Sequence, residues 1–164
     1  MASDIDSSRF RAVLGHVPTS VVVVTGLDAH GAPQGITIGS FVSVSLDPPL
    51  VGFLPGVNSG SWRAISSSGR FCVNVLAHGQ DELCWRFARE SEDRFAGIEW
   101  SASPGGMPEL AGCIATIDCT VESESVVGDH LFVVGRVESL DHIDDAGDAM
   151  AFYRGKVTRA VAAD

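Results

Sequence analysis

Three glycine-rich stretches hold the polar groups best suited to bind a cofactor. From Gly35 to Ser40, small or polar residues alternate with isoleucines. Glycine lets a flat ring system approach the backbone, where N–H groups and hydroxyls can bind its heteroatoms. The same pattern is compatible with a plain strand that has a bulge at Gly39. The stretch is therefore a candidate cofactor site with a structural alternative.

The second stretch, Pro55–Trp62, places Asn58, Ser59 and Ser61 before a helical pattern. Successive N–H groups at the start of a helix attract phosphate without a lysine. Serines are equally common as loop residues and as helix caps. Both roles stay open from the residues alone.

The third stretch is Gly128–Asp129–His130. Gly-Asp is ordinary hairpin-turn chemistry, but the imidazole of His130 could also bind a carboxamide or a phosphate. Near the end of the chain, Tyr153–Arg154–Gly155 contains the single tyrosine and an arginine. Arg154 is also compatible with a solvated surface charge.

The common catalytic signatures are missing from the sequence. No GxGxxG follows a strand, and Gly155-Lys156-Val157 lacks the hydroxyl and the upstream glycine of a phosphate-binding loop. HExxH and GxSxG are absent as well. We therefore expect no Rossmann site, no classical hydrolase or kinase chemistry, and no bound metal.

A mainly β fold must position these stretches. Apolar residues at helical spacing after Ser7 and Ser8 predict a serine-capped first helix, a helix capped by Ser61 is expected to end at Gly69, and Asp81–Arg89 is predicted as a third helix. Ala149–Tyr153 is predicted as a closing turn. Strands are predicted at Val21–Leu27, Gly35–Leu46, Leu50–Leu54, Phe71–Leu76, Cys113–Val121 and Leu131–Leu140. Short connections between strands favour a closed or nearly closed antiparallel barrel.

Composition narrows the class of protein. The 164 residues fit one domain over 1–164, and the net charge of -10, with Lys156 as the single lysine, argues against nucleic acid. No long apolar run or signal peptide is present, so we expect a cytoplasmic protein that does not bind a membrane. Reduced structural thiols are expected at Cys72, Cys84, Cys113 and Cys119.

In their order and spacing, several segments together resemble the flavin reductase-like family. The resemblance runs from about Phe10 to Val157. Its most specific pieces are Pro18–Thr19 before the Val21–Thr25 strand, Gly35–Ile36–Thr37 with Ser40–Phe41, Val44–Val51, Ser68–Leu76 and Gly128–Asp129–His130.

The resemblance implies an antiparallel FMN-binding split β-barrel of Greek-key type with a few short helices, acting as a homodimer. It implies nicotinamide contacts at His130, Tyr153, Arg154 and Gly155, with His130 the candidate catalytic residue. It implies flavin contacts at Gly35, Ile36, Thr37, Ile38, Gly39, Ser40, Leu54, Pro55, Gly56, Ser59, Gly60, Ser61, Arg86 and Phe87. Arg86 is expected to supply the cation near the flavin phosphate.

Two departures from the family pattern concern glycines. Many members have asparagine where this chain has Gly39, and a basic residue where it has Gly60. A backbone contact at Gly39 would be little changed, but loss of a cation at Gly60 would weaken phosphate binding. Weaker phosphate binding would favour a freely exchanging flavin, and a tightly bound flavin stays the alternative.

The function implied by the resemblance is reduction of FMN or FAD by NADH or NADPH. Hydride would pass to flavin N5, and the protein would contribute mainly proximity and alignment. Reduced flavin would then diffuse to a partner flavin-dependent monooxygenase. The scarcity of Lys and Arg favours NADH, whereas FMN and FAD stay equal alternatives.

Two other functions on the same barrel stay open at this point. One is an electron carrier that keeps FMN tightly bound, and the other is an interaction subunit with an empty barrel. A carrier would purify yellow and turn over NADH slowly with added flavin, and an empty barrel would bind no flavin.

Overall fold

A computed structural model describes residues 5–91 and 93–162 and places twelve strands and three helices there. The helices are α1 (Ser7–Leu14), α2 (Gly60–Ser66) and α3 (Asp81–Ala88). The strands are β1 (Thr19–Ser20), β2 (Val22–Leu27), β3 (Pro33–Ile38), β4 (Val42–Leu46), β5 (Pro49–Phe53), β6 (Arg70–Val75), β7 (Trp100–Ala102), β8 (Pro108–Leu110), β9 (Ala115–Val127), β10 (His130–His142), β11 (Ala149–Tyr153) and β12 (Lys156–Ala160).

The main sheet has seven strands in the order β3-β2-β6-β9-β10-β5-β4, and every pair in it is antiparallel. Its two edge strands, β3 and β4, follow each other in the chain and are joined by residues 39–41. A three-stranded sheet, β1-β11-β12, and the hairpin β7-β8 complete the fold. The predicted antiparallel split β-barrel with a few short helices is confirmed.

The core of the barrel is built on edge-to-face aromatic contacts. The ring of Phe53 lies 5.0 Å from Trp62 and 5.4 Å from Phe71, and all three side chains are buried. Gly135 of β10 lies directly over this cluster, because a Cβ at Gly135 would come within 2.4 Å of the Phe71 ring. Helix α2, which carries Trp62, is thereby fixed against the barrel wall.

Buried hydrogen bonds attach the β7-β8 hairpin to the barrel. Asn74 Nδ2 donates to Val23 O at 3.1 Å and to Thr25 Oγ1 at 2.9 Å, while Asn74 Oδ1 accepts from Leu110 N at 2.8 Å. Thr25 Oγ1 donates to Pro108 O. Since Asn74 and Thr25 are fully buried, this network fixes the hairpin in one position.

Several predicted element boundaries were wrong. Helix α1 is capped by Asp6, whose carboxylate accepts from Ser8 N and Arg9 N, and not by a serine. Helix α2 is capped by Ser59, which accepts from Trp62 N, and not by Ser61. Each cap lies before the expected serine because the cap is the residue whose side chain reaches the N–H groups of the first turn.

The strand pattern also differs from the prediction in three places. The predicted strand Gly35–Leu46 is two strands, β3 and β4, separated at 39–41. The predicted closing turn Ala149–Tyr153 is strand β11, which pairs with β12 through a turn at Arg154–Gly155. The β7-β8 hairpin lies in a region predicted as loop. Short strands among Gly and Pro carry too little periodicity to be recognised from sequence.

The four cysteines are free and buried, as expected for reduced structural thiols. Burial raises the pKa of Cys113 and of Cys119 to about 12, and it raises the pKa of Cys72 and Cys84 as well. The thiols therefore stay protonated near neutral pH. Among residues 5–91 and 93–162, no helix is long and apolar enough to cross a membrane.

Candidate functional site

A cleft of about 1040 Å³ opens between strand β3, the start of helix α2, the segment after helix α3 and the β9-β10 turn. This volume is at the upper end of the range for small-molecule and cofactor pockets. Its described lining residues are Pro33, Gln34, Gly35, Ile36, Gly56, Val57, Asn58, Ser59, Gly60, Ser61, Phe87, Ala88, Glu90, Ser91, Asp93, Arg94, Phe95, Asp129 and His130.

The apolar side of the cleft is formed by Ile36 and by two aromatic rings. Phe87 and Phe95 meet edge to face at 5.0 Å, and both are buried. Gly35 allows this arrangement, because a Cβ at that position would come within 2.6 Å of the Phe87 ring. Strand β3 and helix α3 therefore approach each other closely and form an apolar wall.

The polar side of the cleft includes Arg94, which joins three segments of the chain. Arg94 Nη1 donates to Gly35 O at 2.9 Å and to the hydroxyl of Ser61. Arg94 Nε donates to Arg89 O at 2.8 Å. The guanidinium thus connects strand β3, the start of helix α2 and the segment that follows helix α3.

His130 lies at the far side of the cleft, on a turn that is held by backbone hydrogen bonds. Leu131 N donates to Pro55 O at 2.9 Å and Val57 N donates to Asp129 O at 3.0 Å. His130 therefore keeps a fixed distance from the loop that leads into helix α2. The β9-β10 turn and this loop form one unit of the site.

Asp129 orients the imidazole of His130. His130 Nδ1 lies 2.7 Å from Asp129 Oδ1. Since a carboxylate can only accept, Nδ1 is the protonated nitrogen and Nε2 is left for a ligand. The same hydrogen bond lowers the pKa of Asp129 below its usual value.

The cleft brings together eight of the residues predicted to bind flavin or nicotinamide. These residues come from four separate parts of the chain: Gly35, Ile36, Gly56, Ser59, Gly60, Ser61, Phe87 and His130. The two polar stretches around residues 35 and 59 and the turn at 128–130 are therefore neighbours in space.

Other residues that were predicted to contact flavin do not line the cleft. They make contacts within the protein instead. Thr37 Oγ1 donates to Cys84 O at 2.7 Å, and Ser40 Oγ accepts from Leu54 N at 2.9 Å. Ile38 is part of the buried core and Gly39 is exposed in the connection to β4. Pro55 is buried and receives the hydrogen bond from Leu131.

Arg86, the expected phosphate cation, does not line the cleft. Its Nη2 lies 2.6 Å from Glu82 Oε1 and its Nη1 donates to Ala96 O at 2.6 Å. The spacing of four residues places Glu82 and Arg86 on the same side of helix α3, which favours this pair. The structure instead brings Arg94 into the cleft.

Tyr153, Arg154 and Gly155 lie on the β11-β12 turn, away from the lining of the cleft. Arg154 and Gly155 have φ of 51° and 76°, and Arg154 N donates to Gly15 O at 2.9 Å. Tyr153 meets His16 edge to face at 6.4 Å. In this chain the turn contacts the end of helix α1.

Sequence reasoning missed the segment between Ala88 and Phe95. Glu90, Ser91, Asp93 and Arg94 line the cleft, yet they lie in a loop without helical or strand periodicity. The arginine followed by phenylalanine at 94–95 gives no distinguishing signal, because the same pair occurs at 9–10, 70–71 and 86–87. Only the fold brings this segment to the cleft.

Comparison with known proteins places the chain in context. Residues 14–160 match the model of the flavin reductase like domain. A flavin reductase of Pseudomonas putida is 47% identical over 153 residues, which cover 93% of this chain and 89% of that protein. The reductase subunit HsaB of a flavin-dependent monooxygenase from Rhodococcus jostii is 48% identical, over 96% of this chain and 80% of the subunit.

A solved structure shows the same fold. The NADH:FAD oxidoreductase SgcE6 of Streptomyces globisporus, in complex with NAD and FAD fragments, superimposes with a TM-score of 0.89 at 32% identity, over 98% of this chain and 96% of that one. Fold, family model and sequence identity over nearly the full length agree. The chain therefore belongs to the flavin reductase-like family.

Proposed function

We propose that this chain reduces FMN or FAD with NADH in the cleft between strand β3, helix α2 and the β9-β10 turn. The chain is a flavin oxidoreductase by its family, and flavin and NADH are its cofactor and co-substrate. The observation that carries the assignment of the site is the cleft itself. An apolar aromatic wall there faces a set of hydrogen-bond donors in a volume that suits a cofactor.

The residues of the cleft fit a flavin nucleotide. A planar aromatic ring needs apolar neighbours, and Ile36, Phe87 and Phe95 line one side of the cleft. The phosphate end needs donors, and the Ser61 hydroxyl and the Arg94 guanidinium lie together in the same cleft. A bound flavin would supply the ring that accepts hydride, so the protein need only hold the two reactants in contact.

The chain's own residues contribute orientation. Asp129 fixes the tautomer of His130, whose Nε2 is then an acceptor for the carboxamide N–H of a nicotinamide. The backbone bonds of the turn to Pro55 and Val57 keep His130 at a constant distance from the loop that leads into helix α2. Alignment of this kind contributes several kcal/mol to a bimolecular reaction, by the effective-molarity argument.

An oxygenase is the partner of a reductase of this kind. We infer that reduced flavin reaches it by diffusion, since the cleft is open to solvent and the flavin needs to leave. The cytoplasmic location expected from the sequence stays a prediction.

We also propose that the chain is a homodimer. Helix α1 buries none of its residues, and Phe10, Val13 and Leu14 are exposed. On the edge strand β4, Leu46 is 91% exposed and Val42 and Val44 are also exposed. Edge strands with apolar side chains are usually covered by another chain or segment. A second copy of this chain would cover these apolar side chains without any other protein being required.

The test of the function is an anaerobic assay with purified protein, NADH or NADPH, and FMN or FAD. Loss of nicotinamide absorbance that requires added flavin is the expected result, with NADH faster than NADPH. No turnover with either nicotinamide, despite bound flavin, would contradict the proposal and point to the electron carrier. Failure to bind any flavin would point to an interaction subunit.

A further inference from the structure

Helix α2 is joined to the β9-β10 hairpin by a hydrogen bond between two side chains. The indole Nε1 of Trp62 donates to Glu124 Oε1 at 2.7 Å. Among the hydrogen bonds within residues 5–91 and 93–162, this is the one that links α2 itself to the hairpin. Trp62 is 1% exposed, and a buried N–H group without an acceptor is costly. The position of α2 is therefore tied to the position of Glu124.

The strand register explains why Glu124 meets Trp62. Glu124 pairs with Val133 of β10, and Val133 pairs with Phe53 of β5. Side chains at paired positions lie on the same face of a sheet. Glu124 therefore continues the row formed by Phe53 and Val133, which are both buried in the core. The Trp62 ring packs on Phe53 with the ring centres 5.0 Å apart, so its indole N–H meets the carboxylate at the edge of the core.

A carboxylate at the end of this apolar row gives a contact of a different kind from the rest of the core. Apolar packing is non-directional, whereas a hydrogen bond is sensitive to both distance and angle. Strand β6 pairs with β9 only as far as Thr120, so it does not cover the strand at Glu124. The hydrogen bond to Trp62 therefore fixes the orientation of α2 at a place where the sheet itself has narrowed to a hairpin.

Both partners belong to elements that form the cleft. Trp62 comes directly after 59–61, a stretch that lines the cleft, and its amide N–H donates to the capping hydroxyl of Ser59 at 3.2 Å. Glu124 lies three ladder positions from the pair that contains His130, which is about 10 Å along the hairpin. The hydrogen bond between Trp62 and Glu124 thus connects the wall at the start of α2 with the wall that carries His130.

We propose that Glu124 is a positioning residue for hydride transfer, acting through Trp62. The inference rests on the proposed reaction in this cleft, with the nicotinamide at His130. Hydride transfer requires the two reacting rings in contact, and a misplacement of about 1 Å can cost about 100-fold in rate. Glu124 does not line the cleft. It acts by holding the start of α2 at a fixed position relative to the hairpin.

The experiment separates the rate of the reaction from the affinity for flavin. Anaerobic stopped-flow mixing of flavin-loaded protein with NADH measures the rate constant of flavin reduction, and titration with FMN and with FAD gives the Kd of each. We expect Glu124→Ala to slow flavin reduction by about 5- to 50-fold, because the two walls lose their fixed relation. The Kd of FMN and of FAD should stay unchanged, since Glu124 contacts neither ligand.

Two further variants test whether the hydrogen bond is the cause. Glu124→Gln keeps an oxygen that can accept from the indole and should recover most of the rate. Glu122→Ala is the matched control, because Glu122 lies two residues away on the same strand and pairs with Arg136 of the same hairpin. It should reduce flavin at the wild-type rate.

Trp62→Phe removes the same hydrogen bond from its other side and keeps an aromatic ring in the core. We expect it to slow flavin reduction as Glu124→Ala does, and the double variant should be no slower than the slower single variant. The indole N–H signals in NMR give a readout without flavin or NADH. The signal of Trp62 should exchange with solvent more slowly than those of Trp85 and Trp100, which are each 39% exposed, and Glu124→Ala should accelerate its exchange.

Several results would overturn the proposal. These are a wild-type rate of flavin reduction in Glu124→Ala, even with a lower urea midpoint, no recovery in Glu124→Gln, equal slowing in Glu122→Ala, and multiplied effects in the double variant. A wild type that binds no flavin, or whose flavin NADH does not reduce, contradicts instead the proposed function. Circular dichroism of each variant shows that it is folded.

Discussion

At the scale of single residues, the chain has few Lys and Arg side chains, and the position of each one relative to the cleft is what matters. The sequence departs from the family pattern at Gly60, where a cation was expected, and Arg94 brings a guanidinium to the neighbouring Ser61. From the sequence, Arg86, on helix α3, was expected to be the cation near the flavin phosphate. The ion pair of Arg86 with Glu82 was not predicted, because that pair depends on which way the helix faces. Loop residues such as Arg94 carry no periodic signal, so their position comes only from the fold.

His130→Ala tests the nicotinamide side of the cleft. Loss of one hydrogen bond to the co-substrate should raise KM for NADH by about tenfold, which corresponds to ~1.4 kcal/mol, while flavin affinity stays unchanged. Steady-state kinetics and flavin titration measure the two effects. His142→Ala is the matched control, because His142 is an exposed histidine that pairs with Asp144 away from the cleft. Equal NADH kinetics in His130→Ala and wild type would remove His130 from the site.

The buried thiols predict how stability depends on pH. Because burial raises the pKa of Cys113 and Cys119 from 9.0 to about 12, their contribution is complete below pH 9 and is lost as pH rises toward 12. The urea midpoint should therefore be constant up to about pH 8 and fall above pH 9. A Cys119→Ala variant should show a smaller fall. A midpoint that rises between pH 9 and 11 would contradict this account.

The same burial predicts low reactivity of the thiols at neutral pH. In the native protein a thiol reagent such as DTNB should label none of the four cysteines within minutes, because the thiolate is scarce and access is blocked. In urea all four should react. Rapid labelling of a native thiol would show that one of these side chains is more accessible than the structure indicates.

At the scale of elements, the strands of the seven-stranded sheet were largely predictable, and those of the two smaller sheets were not. The β-branched runs in the sequence predicted strands β2 and β6. The two apolar runs on either side of Gly128 predicted strands β9 and β10 and the turn between them. Strand β12 was missed because its partner β11 was predicted as a turn, and neither alternates clearly in the sequence. The resemblance to the flavin reductase-like family, and not any local sequence pattern, implied which polar stretches meet in the cleft.

Gly135→Ala tests the close approach of β10 to the aromatic core. A methyl group there would come within 2.4 Å of the Phe71 ring, and crowding of this kind costs about 1–3 kcal/mol. Chemical denaturation measures the loss. Gly60→Ala is the control, since its Cβ would meet nothing within 4 Å, and it should keep or slightly raise stability. Equal stability of the two variants would contradict the packing described for β10.

At the scale of the whole molecule, exposed apolar surface is the feature that a monomer does not explain. It includes helix α1 and the edge strand β4, while the cleft lies between other elements. The sequence predicted an amphipathic first helix, but its apolar side chains turned out to be exposed and not to be part of the core. Periodicity identifies an apolar face without saying whether the same chain or another covers it.

Leu46→Glu tests the dimer. A charge on this side chain, which is 91% exposed in the isolated chain, should shift the protein toward monomer in sedimentation velocity if β4 is covered by a second copy. Leu140→Glu is the control, because Leu140 is also exposed and lies on β10. A wild type that sediments as a monomer at micromolar concentration would contradict the homodimer proposal.

The three-stranded sheet has a consequence for how the chain folds during synthesis. Thr19 and Ser20 pair with Phe152 and Ala151, about 130 residues later. Nearly the whole chain has to leave the ribosome before β1 finds its partner, although β2 and β3 can form their hairpin at once. A nascent chain that ends before Ala149 should therefore hold a folded barrel wall with an unattached first strand, so closure of this sheet is a late event of biosynthesis.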